Sequence, residues 1–525
     1  MLLELPDPCL LAVLHKTAHK HDPFDQRSLL NAARAHSRLH HLAALVLRSI
    51  KAQVKEQQHA DSMVQYLSKH GQHIDSLELW GSGPLEDTIT LQELPPRLHL
   101  TSLHLLGLCV QLQPGNGFQG VLGAAAAAAE APPLKQLKLV SCELLDREEG
   151  LAAALSLMPA LESLEVSKHS MQDPCLQLPA DLFAADLQQL THLKLHGVTL
   201  RGPSQEQWQG LSRLESLDLA QHMYAPERYT IPVSLLQNAH HHHLTRIVLA
   251  DFAWEPAILG GKIKLQHLKV SNSWETIIWG TWATQMLSHL QHLKQLTHLD
   301  LPVPLKDVGV GDPPAAAYSA LTASNKLHFL GIYGWSLPAG AWQHMFDAGR
   351  QLPHLTLLDI SGVKNLAGGT AAAPEGGRLV SCCPRLQSLD MSGLRCTAGT
   401  LASLAGLSAL HRLSVGTNAG DGQGLIDLAQ LTGLRELFVS VPNSEDMGLL
   451  LQLTELKQLT LLRYDGQWDG GADVYTLECE VRRGRDTMRL LSFAVYAGHT
   501  MQPMPLLVVA WAVLRIFREC EQALF

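Results

Sequence analysis

Aliphatic residues recur along the chain in the spacing L-x-x-L-x-L, with polar residues between them. Ile, Val, Met or Tyr also occupies the Leu positions. Successive matches are roughly 27 residues apart, a period in the range of solenoid repeats. The matches begin at Ile74, Leu100, Leu134, Leu161, Leu190, Leu214, Leu244, Leu265, Leu296, Leu327, Leu355, Leu386, Leu410, Leu434 and Leu459.

Each match predicts one short strand followed by a return segment. The last two aliphatic positions of the motif lie two residues apart, so in a strand both point into the same core. The rest of each unit must come back on the other side, and stretches such as GVLGAAAAAAEA have helix-forming composition. Strands stack about 4.8 Å apart and helices about 10 Å apart, so the stack should bend with the strands inside. We therefore predict an α/β fold, a horseshoe-shaped solenoid of about fifteen units over residues 74–470 with a parallel concave sheet.

This arrangement resembles leucine-rich-repeat proteins over roughly residues 70–470. In regular members of that family, Asn or Cys two places after the strand builds a buried polar ladder. Here Cys142 and Asn418 fit that position, whereas other units hold residues such as Leu108, Val198, Trp335, Val363 and Leu394. The resemblance therefore implies an irregular horseshoe without a regular polar ladder.

Residues 1–50 do not follow the repeat. Leu5-Pro6 precedes an apolar helical stretch, a polar segment follows, and two further helical stretches come after it. A short helical bundle in this place could simply cap the first repeat. The pattern also resembles an F-box, in which Leu-Pro starts a Leu-rich helix and further helices follow, directly before leucine-rich repeats. Residues 51–73 are charged and helix-compatible, and we predict a helical linker there.

The F-box resemblance implies a docking site for a Skp-type adaptor within a cullin complex. By that resemblance, the docking residues are Leu5, Pro6, Leu10, Leu11, Leu14, Leu29, Leu30 and Leu39.

Residues 471–525 follow the repeats. Polar and apolar residues alternate from Tyr475 to Val481, RRGRD turns the chain, and Met488 to Tyr496 is again strand-like, which predicts a β-hairpin. The final apolar stretch is predicted to be a helix. We expect these two elements to form a C-terminal cap on the open end of the solenoid.

Composition narrows the function classes. Of 525 residues, 40 are Lys or Arg and 49 are Asp or Glu, giving a formal net charge of −9. Too few positive charges are present for phosphate neutralisation or for binding to an acidic membrane surface, so neither nucleic acid nor membrane is expected as a partner. The nine scattered cysteines lack a CxxC pair. They indicate reduced thiols and an intracellular location, cytoplasmic and/or nuclear.

Three clusters could carry chemistry, and each has a simpler explanation. Residues 115–120, GNGFQG, match a dinucleotide fingerprint outside its usual context. Four histidines at 240–243 are predicted to lie in an exposed loop. Cys382 and Cys383 with Cys396 lack the spacing of a zinc site, and Cys382 is predicted to be buried. Catalytic motifs are absent from the sequence, so we expect no enzyme activity, no cofactor and no metal site.

The strand positions that point away from the core are the remaining candidates for binding. They form a His/Lys-rich group, then an aromatic step, then acidic residues, which could orient a partner by charge complementarity. The candidate target-binding residues are Lys138, His192, Lys194, His196, Lys269, His298, Asp300, Phe329, Tyr333, Asp359 and Asp390. Trp80, His104, Glu165, Asp218, Arg246, His267, Arg412, Phe438 and Arg463 occupy equivalent outward positions.

These observations favour a non-catalytic interaction protein. The F-box resemblance implies the substrate-recognition subunit of a Skp-cullin-F-box ubiquitin ligase, with an unknown protein target on the concave face. Two alternatives stay open. One is a cytoskeletal or flagellar leucine-rich-repeat scaffold without a ubiquitin role. The other is a small-ligand sensor of the plant hormone receptor type, for which the scattered Lys138, Lys194 and Lys269 are the available basic residues.

Overall fold

A computed structural model describes most of the repeat region. The residues described are 10, 48–81, 89–91, 94–95, 98–112, 134–144, 147–168, 176–179, 182–201, 211–220, 243–250, 256–271, 279–301, 313–365, 371–396, 398–416, 431, 433–440, 458–463, 475–484 and 487–497. The chain divides into two compact units, Met1–Trp254 and Glu255–Phe525, and each is described by itself.

The first unit is built on a parallel sheet. Its strands, in chain order, are β1 Ser49–Val54, β2 Ser76–Gly81, β3 Thr90–Leu91, β4 Ser102–Leu106, β5 Cys109–Val110, β6 Gln136–Val140, β7 Glu143–Leu144, β8 Ser163–Ser167, β9 Leu176–Pro179, β10 His192–His196, β11 Val198–Arg201, β12 Ser216–Ala220 and β13 Arg246–Ala250. The main sheet has the order β1-β2-β4-β6-β8-β10-β12-β13, and all of these pairs are parallel. The short strands pair beside it, in the orders β3-β5-β7 and β9-β11.

The second unit repeats the same plan. Its strands are β14 His267–Ser271, β15 His298–Asp300, β16 Phe329–Gly331, β17 Ser336–Leu337, β18 Leu357–Asp359, β19 Lys364–Asn365, β20 Ser388–Met391, β21 Arg412–Gly416, β22 Glu436–Ser440, β23 Gln458–Arg463, β24 Tyr475–Gly484 and β25 Thr487–Ala497. The order β14-β15-β16-β18-β20-β21-β22-β23 is parallel throughout. β17 and β19 form a separate short pair.

Helical segments lie in the return parts of the units. The α-helices are α1 Gln57–His70, α2 Arg147–Ser156, α3 Leu182–Ala185, α4 Trp279–Leu290, α5 Ala341–Met345, α6 Gly376–Cys382 and α7 Ala398–Leu404. Segments of 3-10 helix span Gly71–His73, Pro256–Leu259 and Ala315–Thr322. Their apolar sides supply buried residues such as Leu67, Leu151 and Leu379 to the core.

The register of the sheet aligns the repeats one on another. In the first unit, Leu77, Leu103 and Leu137 are direct partners, and the alignment continues through Leu164, Leu193, Leu217 and Ile247. These residues are almost completely buried. Full burial of one such side chain contributes roughly 1.5–3 kcal/mol. The predicted leucine-rich-repeat solenoid fold is confirmed, because the L-x-L pairs of the sequence become layers of the core. The last predicted match, from Leu459, is out of register by three residues: Leu459 and Leu461, and not Leu462 and Tyr464, align with Leu437 and Val439.

The N-terminal boundary of the sheet differs from the prediction. Residues 49–54 form strand β1, paired in parallel with β2, whereas the sequence predicted a helical module up to residue 50 and a helical linker from residue 51. Ile50 and Val54 are buried in the sheet core, and Ala52 takes the place of the last leucine of the motif. Because of that alanine, the L-x-x-L-x-L motif does not match this unit. α1 then forms the return segment of this additional repeat.

Of the F-box-like segment, residues 1–50, the structure describes Leu10 and residues 48–50. Leu10 lies in a helix and is fully buried. The other seven predicted adaptor-binding residues are not described. At the other end, β24 and β25 form an antiparallel hairpin, and β24 also pairs antiparallel with β23. The hairpin therefore extends the sheet, and the predicted final helix lies outside the described residues.

A left-handed residue recurs at the turn after the strand. Gly107, Gly197, Gly334, Gly362 and Gly393 all have positive φ between 61° and 79°, and Ser141 takes φ 52° in the equivalent place. Each comes directly before the position where regular repeats carry Asn or Cys. The backbone N–H of Gly107 donates to the carbonyl of Val140 in the next repeat, and Gly362 donates likewise to Ser392.

Two residues at the ladder position still supply a polar hydrogen. The Cys142 Sγ donates to the carbonyl of Leu105 at 3.2 Å. The indole Nε1 of the buried Trp335 donates to the carbonyl of Leu301, also in the preceding repeat. An indole thus satisfies a buried carbonyl in the way that the family's Asn would.

The turn glycines make a direct stability prediction. A Cβ at Gly107 would meet no atom within 4 Å, so Gly107→Ala tests backbone conformation alone. An L-residue at positive φ is strained, and we expect the free energy of unfolding to fall by about 1 kcal/mol in chemical denaturation followed by circular dichroism. Gly377→Ala, in helix α6 and equally free of contacts, is the matched control and should cause no loss. An equal effect of the two changes would contradict the assigned turn.

Candidate functional site on the open face of the sheet

The side of each main sheet opposite the core is here called the open face. It consists of the strand residue between the two buried leucines, together with the residues two places before and after it. In the first unit, the central row aligns Lys51, Glu78, His104, Lys138, Glu165, Lys194 and Asp218 on neighbouring strands. Oppositely charged side chains therefore meet in register.

These charges form ion pairs across the strands. Lys51 Nζ lies 2.7 Å from a Glu78 carboxylate oxygen. Glu165 accepts from both neighbours, with Lys138 Nζ and Lys194 Nζ each 2.9 Å away. Burial of Glu165 tends to raise its pKa, but the hydrogen bonds and charges of the two lysines outweigh it, so the pKa is lowered. The lysines predicted to bind a target thus already have a partner within the sheet.

The histidines of the first unit also have local partners. His196 Nε2 lies 2.7 Å from Asp218 Oδ1, and His192 Nδ1 lies 2.8 Å from the Thr191 hydroxyl. Burial lowers the pKa of His104, and Lys138 and Lys51 act in the same direction. The predicted His/Lys-rich group is consequently a charge-balanced surface, with Glu78, Glu165 and Asp218 compensating its lysines and histidine.

The second unit carries an aromatic row on its open face. The rings of His267 and His298 stack with centroids 4.1 Å apart, and His298 stacks on Phe329 at 4.2 Å. These three residues are direct partners in β14, β15 and β16. Further along the sheet, Arg412 lies over the Phe438 ring, 4.8 Å from its centroid, and pairs with Glu436.

Next to the aromatic row lies an acidic row. Asp300, Gly331, Asp359 and Asp390 are consecutive partners in β15, β16, β18 and β20. Asp359 Oδ1 accepts from the backbone N–H and the hydroxyl of Ser361, at 3.0 and 2.7 Å. Asp390 makes the same two bonds with Ser392, at 2.9 and 2.7 Å. In the part of the chain that is described, no lysine or arginine pairs with either carboxylate.

Asp300 differs from the other acidic residues. It is 4% exposed, and its Oδ2 lies 2.9 Å from Lys269 Nζ. Its Oδ1 is buried and, among the described residues, has no hydrogen-bond partner. A Cβ placed on Gly331 would come within 2.9 Å of this oxygen and of the Phe329 ring, so both lie close over the buried glycine. A buried carboxylate oxygen without a donor costs free energy, so this arrangement requires an explanation.

Tyr333, two residues after Gly331, is 37% exposed. Burial raises its pKa to about 12, and Asp300 and Asp359 contribute to that rise. Burial also raises the pKa of Asp359, and although its bonds to Ser361 oppose the shift, Asp390 and Asp300 add to it. The two carboxylates and the phenol therefore lie close enough to influence one another electrostatically.

The structure brings together Lys269, His298, Asp300, Phe329, Tyr333, Asp359 and Asp390 from the predicted set, all in the second unit. Gly331, Ser361 and Ser392 also lie in this region and were not among the predicted residues. Gly331 is visible in the sequence as a glycine at a central strand position. The two serines follow Asp in the repeated patterns LDISG and LDMSG.

Of the other clusters flagged in the sequence, the structure describes Cys382, Cys383, Cys396 and His243. Within the described ranges, no group of three or more His, Cys, Asp or Glu side chains is placed to hold a metal ion. Cys382 is fully buried as expected, and burial raises the pKa of Cys383 to about 12. The GNGFQG segment and His240 to His242 lie outside the described residues. In the same part of the chain, no helix is long and apolar enough to cross a membrane.

Comparisons with known proteins give similarity in fold only. No family model matches the sequence, and no curated protein matches it. An internalin of Listeria monocytogenes is 13% identical and has a TM-score of 0.39, with 72% of this chain and 86% of that chain covered. TLR13 in complex with ssRNA13 is 15% identical with a TM-score of 0.43, over 79% of this chain and 57% of that chain. The plant peptide hormone receptor RGFR1 in complex with RGF2 is 13% identical with a TM-score of 0.30, over 79% and 78%.

The raised pKa of Asp359 predicts a pH-dependent stability. An acid that binds its proton more tightly when folded loses stability as the pH rises from its ordinary value, 3.8, through the raised one. Asp359→Asn has no such proton to lose, while its side-chain oxygen can still accept from Ser361. The unfolding free energy of the variant minus that of the wild type should therefore increase with pH across this window and then level off. Denaturation series between pH 3 and 7 measure it, and a difference that is constant or falls with pH would refute the expectation.

Proposed function

We propose that this chain is a non-catalytic protein receptor that captures a partner on the open face of its repeat sheet. The observation that carries the proposal is the second unit's open face. There, an aromatic row lies beside acidic residues that the chain's own bases leave largely uncompensated. Such a combination of anchors and unbalanced charge is typical of recognition surfaces. The first unit's open face is already charge-balanced and serves this role less well.

We further propose that residues 1–50 tether the receptor to other machinery, as the substrate-recognition subunit of an intracellular Skp-cullin-F-box ubiquitin ligase. The support is the sequence pattern of Leu5-Pro6 and the Leu-rich stretches, directly before the repeats. Since Leu10 is fully buried within this chain, it would stabilise the module's own core. The remaining leucines of the set would then provide the adaptor contact.

In this role the chain would act by proximity. A target held on the open face and an adaptor held by the N-terminal module raise the effective concentration of target near the ubiquitin-conjugating enzyme. No catalytic residue is required of the receptor itself. A leucine-rich-repeat scaffold without a ubiquitin role would use the same open face and would differ in lacking the adaptor contact.

Adaptor binding tests the finer proposal. The purified full chain should bind a purified Skp-type adaptor in isothermal titration. The double change Leu14→Asp and Leu30→Asp should weaken that binding at least about tenfold, because charges replace buried interface leucines.

Leu157→Asp is the matched control, since Leu157 is 57% exposed in the repeat region. It should leave adaptor affinity unchanged, and circular dichroism should show that all proteins keep the same helix and strand content. A wild-type chain that does not bind the adaptor would favour the scaffold instead. Equal adaptor affinity of the wild type and the double variant would exclude the assigned docking residues.

A further inference from the structure

The segments that precede the strands of the second unit lie along one edge of its sheet. The backbone N–H of the residue before each strand donates to the carbonyl of its counterpart in the preceding repeat, at 2.7–3.0 Å. The residues joined in this way are Gln266, Thr297, His328, Thr356, Gln387, His411 and Arg435. Six steps of about 4.8 Å give a row about 29 Å long.

This edge carries positive charge without negative charge. We call the segments 263–266, 294–297, 325–328, 353–356, 384–387, 408–411 and 433–435 the basic edge. Asp and Glu are absent from them, and their basic residues are Lys264, Lys294, Lys326, His328, His354, Arg385, His411 and Arg435.

The lysines and arginines of the basic edge are exposed and have no acidic partner. In the part of the chain that the structure describes, none of them forms an ion pair with a carboxylate. Lys294 Nζ donates to the carbonyl of Ala323, and Lys326 Nζ donates to the side chain of Gln295. These neutral acceptors leave the positive charge uncompensated, so it is available to a partner.

The equivalent edge of the first unit is charge-balanced. There Asp75, Glu162 and Glu215 occupy the position before the strand. Lys135 Nζ lies 2.7 Å from a Glu162 carboxylate oxygen, and Arg48 lies 3.5 Å from Asp75. Exposed pairs of this kind contribute little to stability, but they neutralise the surface. The excess of positive charge is therefore particular to the second unit.

Burial is reversed at one end of the basic edge. In eight repeats, the N–H of the first motif leucine donates to the carbonyl three residues before it, and the residue carrying that carbonyl is buried and apolar. These residues are Met158, Leu187, Leu211, Leu293, Leu352, Cys383, Leu407 and Leu431. Lys262 takes the same position before Leu265 and is 2% exposed, whereas the next residue, Ile263, is 63% exposed.

This reversal costs free energy on both sides. Exposure of Ile263 gives up the gain from burying an aliphatic side chain. Burial lowers the pKa of the Lys262 amine to about 8, because its charge is removed from water. Exchanging the two residues would remove both costs, and departures of this kind from core patterning are expected at functional sites.

The exposed isoleucine lies among the positive charges. Lys264 follows it in the chain. Lys294 occupies the same position in the next repeat, since Gln266 and Thr297 are joined by a backbone hydrogen bond and both segments make the same turn. The basic edge therefore combines a row of cations with one aliphatic contact.

These features fit an acidic protein segment better than a nucleic acid. Eight residues of extended chain span about 26–29 Å, which is the length of the row. Carboxylates on such a segment would pair with the lysines and arginines, and an aliphatic side chain would contact Ile263. A phosphate backbone makes no use of an exposed isoleucine, and the formal net charge of −9 opposes the approach of a long polyanion.

We propose that the basic edge binds an acidic, extended segment of a partner protein that also presents an aliphatic side chain to Ile263. This surface is separate from the open face, so the inference goes beyond the proposed receptor function. Asp300, Asp359 and Asp390 each lie three residues after the row, about 10 Å along the strand. The two surfaces thus attract segments of opposite charge.

The test measures the affinity of two fluorescein-labelled peptides, octaglutamate and EEELLEEE, for the purified full chain by fluorescence anisotropy at low salt. The double change Lys264→Gln and Lys326→Gln removes two charges, and it should weaken the binding of both peptides about tenfold. Ile263→Ser removes the aliphatic contact alone. It should weaken EEELLEEE about threefold and leave octaglutamate unchanged.

Two variants serve as controls. Lys55→Gln combined with Lys69→Gln makes the same charge change at exposed positions beside and within α1, so it measures the general effect of net charge. Leu157→Ser makes an equivalent apolar-to-polar change at a residue that is 57% exposed in the first unit. Both should bind the peptides as the wild type does, and circular dichroism should show an unchanged fold for all four variants.

The proposal is overturned if the wild type binds neither peptide, or if the two double variants lose the same affinity. It is also overturned if Ile263→Ser has no effect or weakens both peptides equally. Tighter binding of a labelled octathymidylate strand than of either peptide would contradict a protein ligand. None of these outcomes depends on the open face or on the Skp-type adaptor, so failure here would leave the proposed function standing.

Discussion

The parallel register of the repeat strands is the constraint on which the rest of the structure depends. Because residues about one repeat apart become direct partners, every L-x-L pair is stacked on the next, and the core is one aligned layer after another. The same register fixes which open-face side chains meet. A shift of one residue would expose the leucines and bury the charges, so core and face are specified together.

The two units use this register for different purposes. In the first, acids and bases alternate along the central row, and Lys138, Glu165 and Lys194 neutralise one another within the sheet. In the second, the alternation stops after Lys269 and Asp300, and Asp300 Oδ1 and the Phe329 ring both lie close over Gly331. Exposed ion pairs contribute little to stability. Their main consequence is that paired charges are neutralised, so the unpaired charges are those available for binding a partner.

The sequence was sufficient to predict the strands and their parallel stacking, since the spacing of leucines encodes both. It failed at the first strand, because Ala52 replaces a motif leucine, and only pairing with β2 identifies that unit. Lys138 and Lys194 were predicted to bind a target, but their ion pairs with Glu165 were not predicted. Outward positions can be predicted for each strand separately. Ion pairs and the contact of Asp300 with Gly331 form between strands, and unequal repeat lengths obscure that alignment in the sequence.

One distance measurement tests the central claim about register most directly. Spin labels attached through p-acetylphenylalanine at positions 51 and 194 would both lie on the open face, five strand steps apart in β1 and β10. At about 4.8 Å per step, the two backbones should be about 24 Å apart, despite a sequence separation of more than one hundred residues. Pulsed electron resonance should show one narrow distribution close to that value. A broad distribution, or one centred beyond about 40 Å, would contradict the aligned stack.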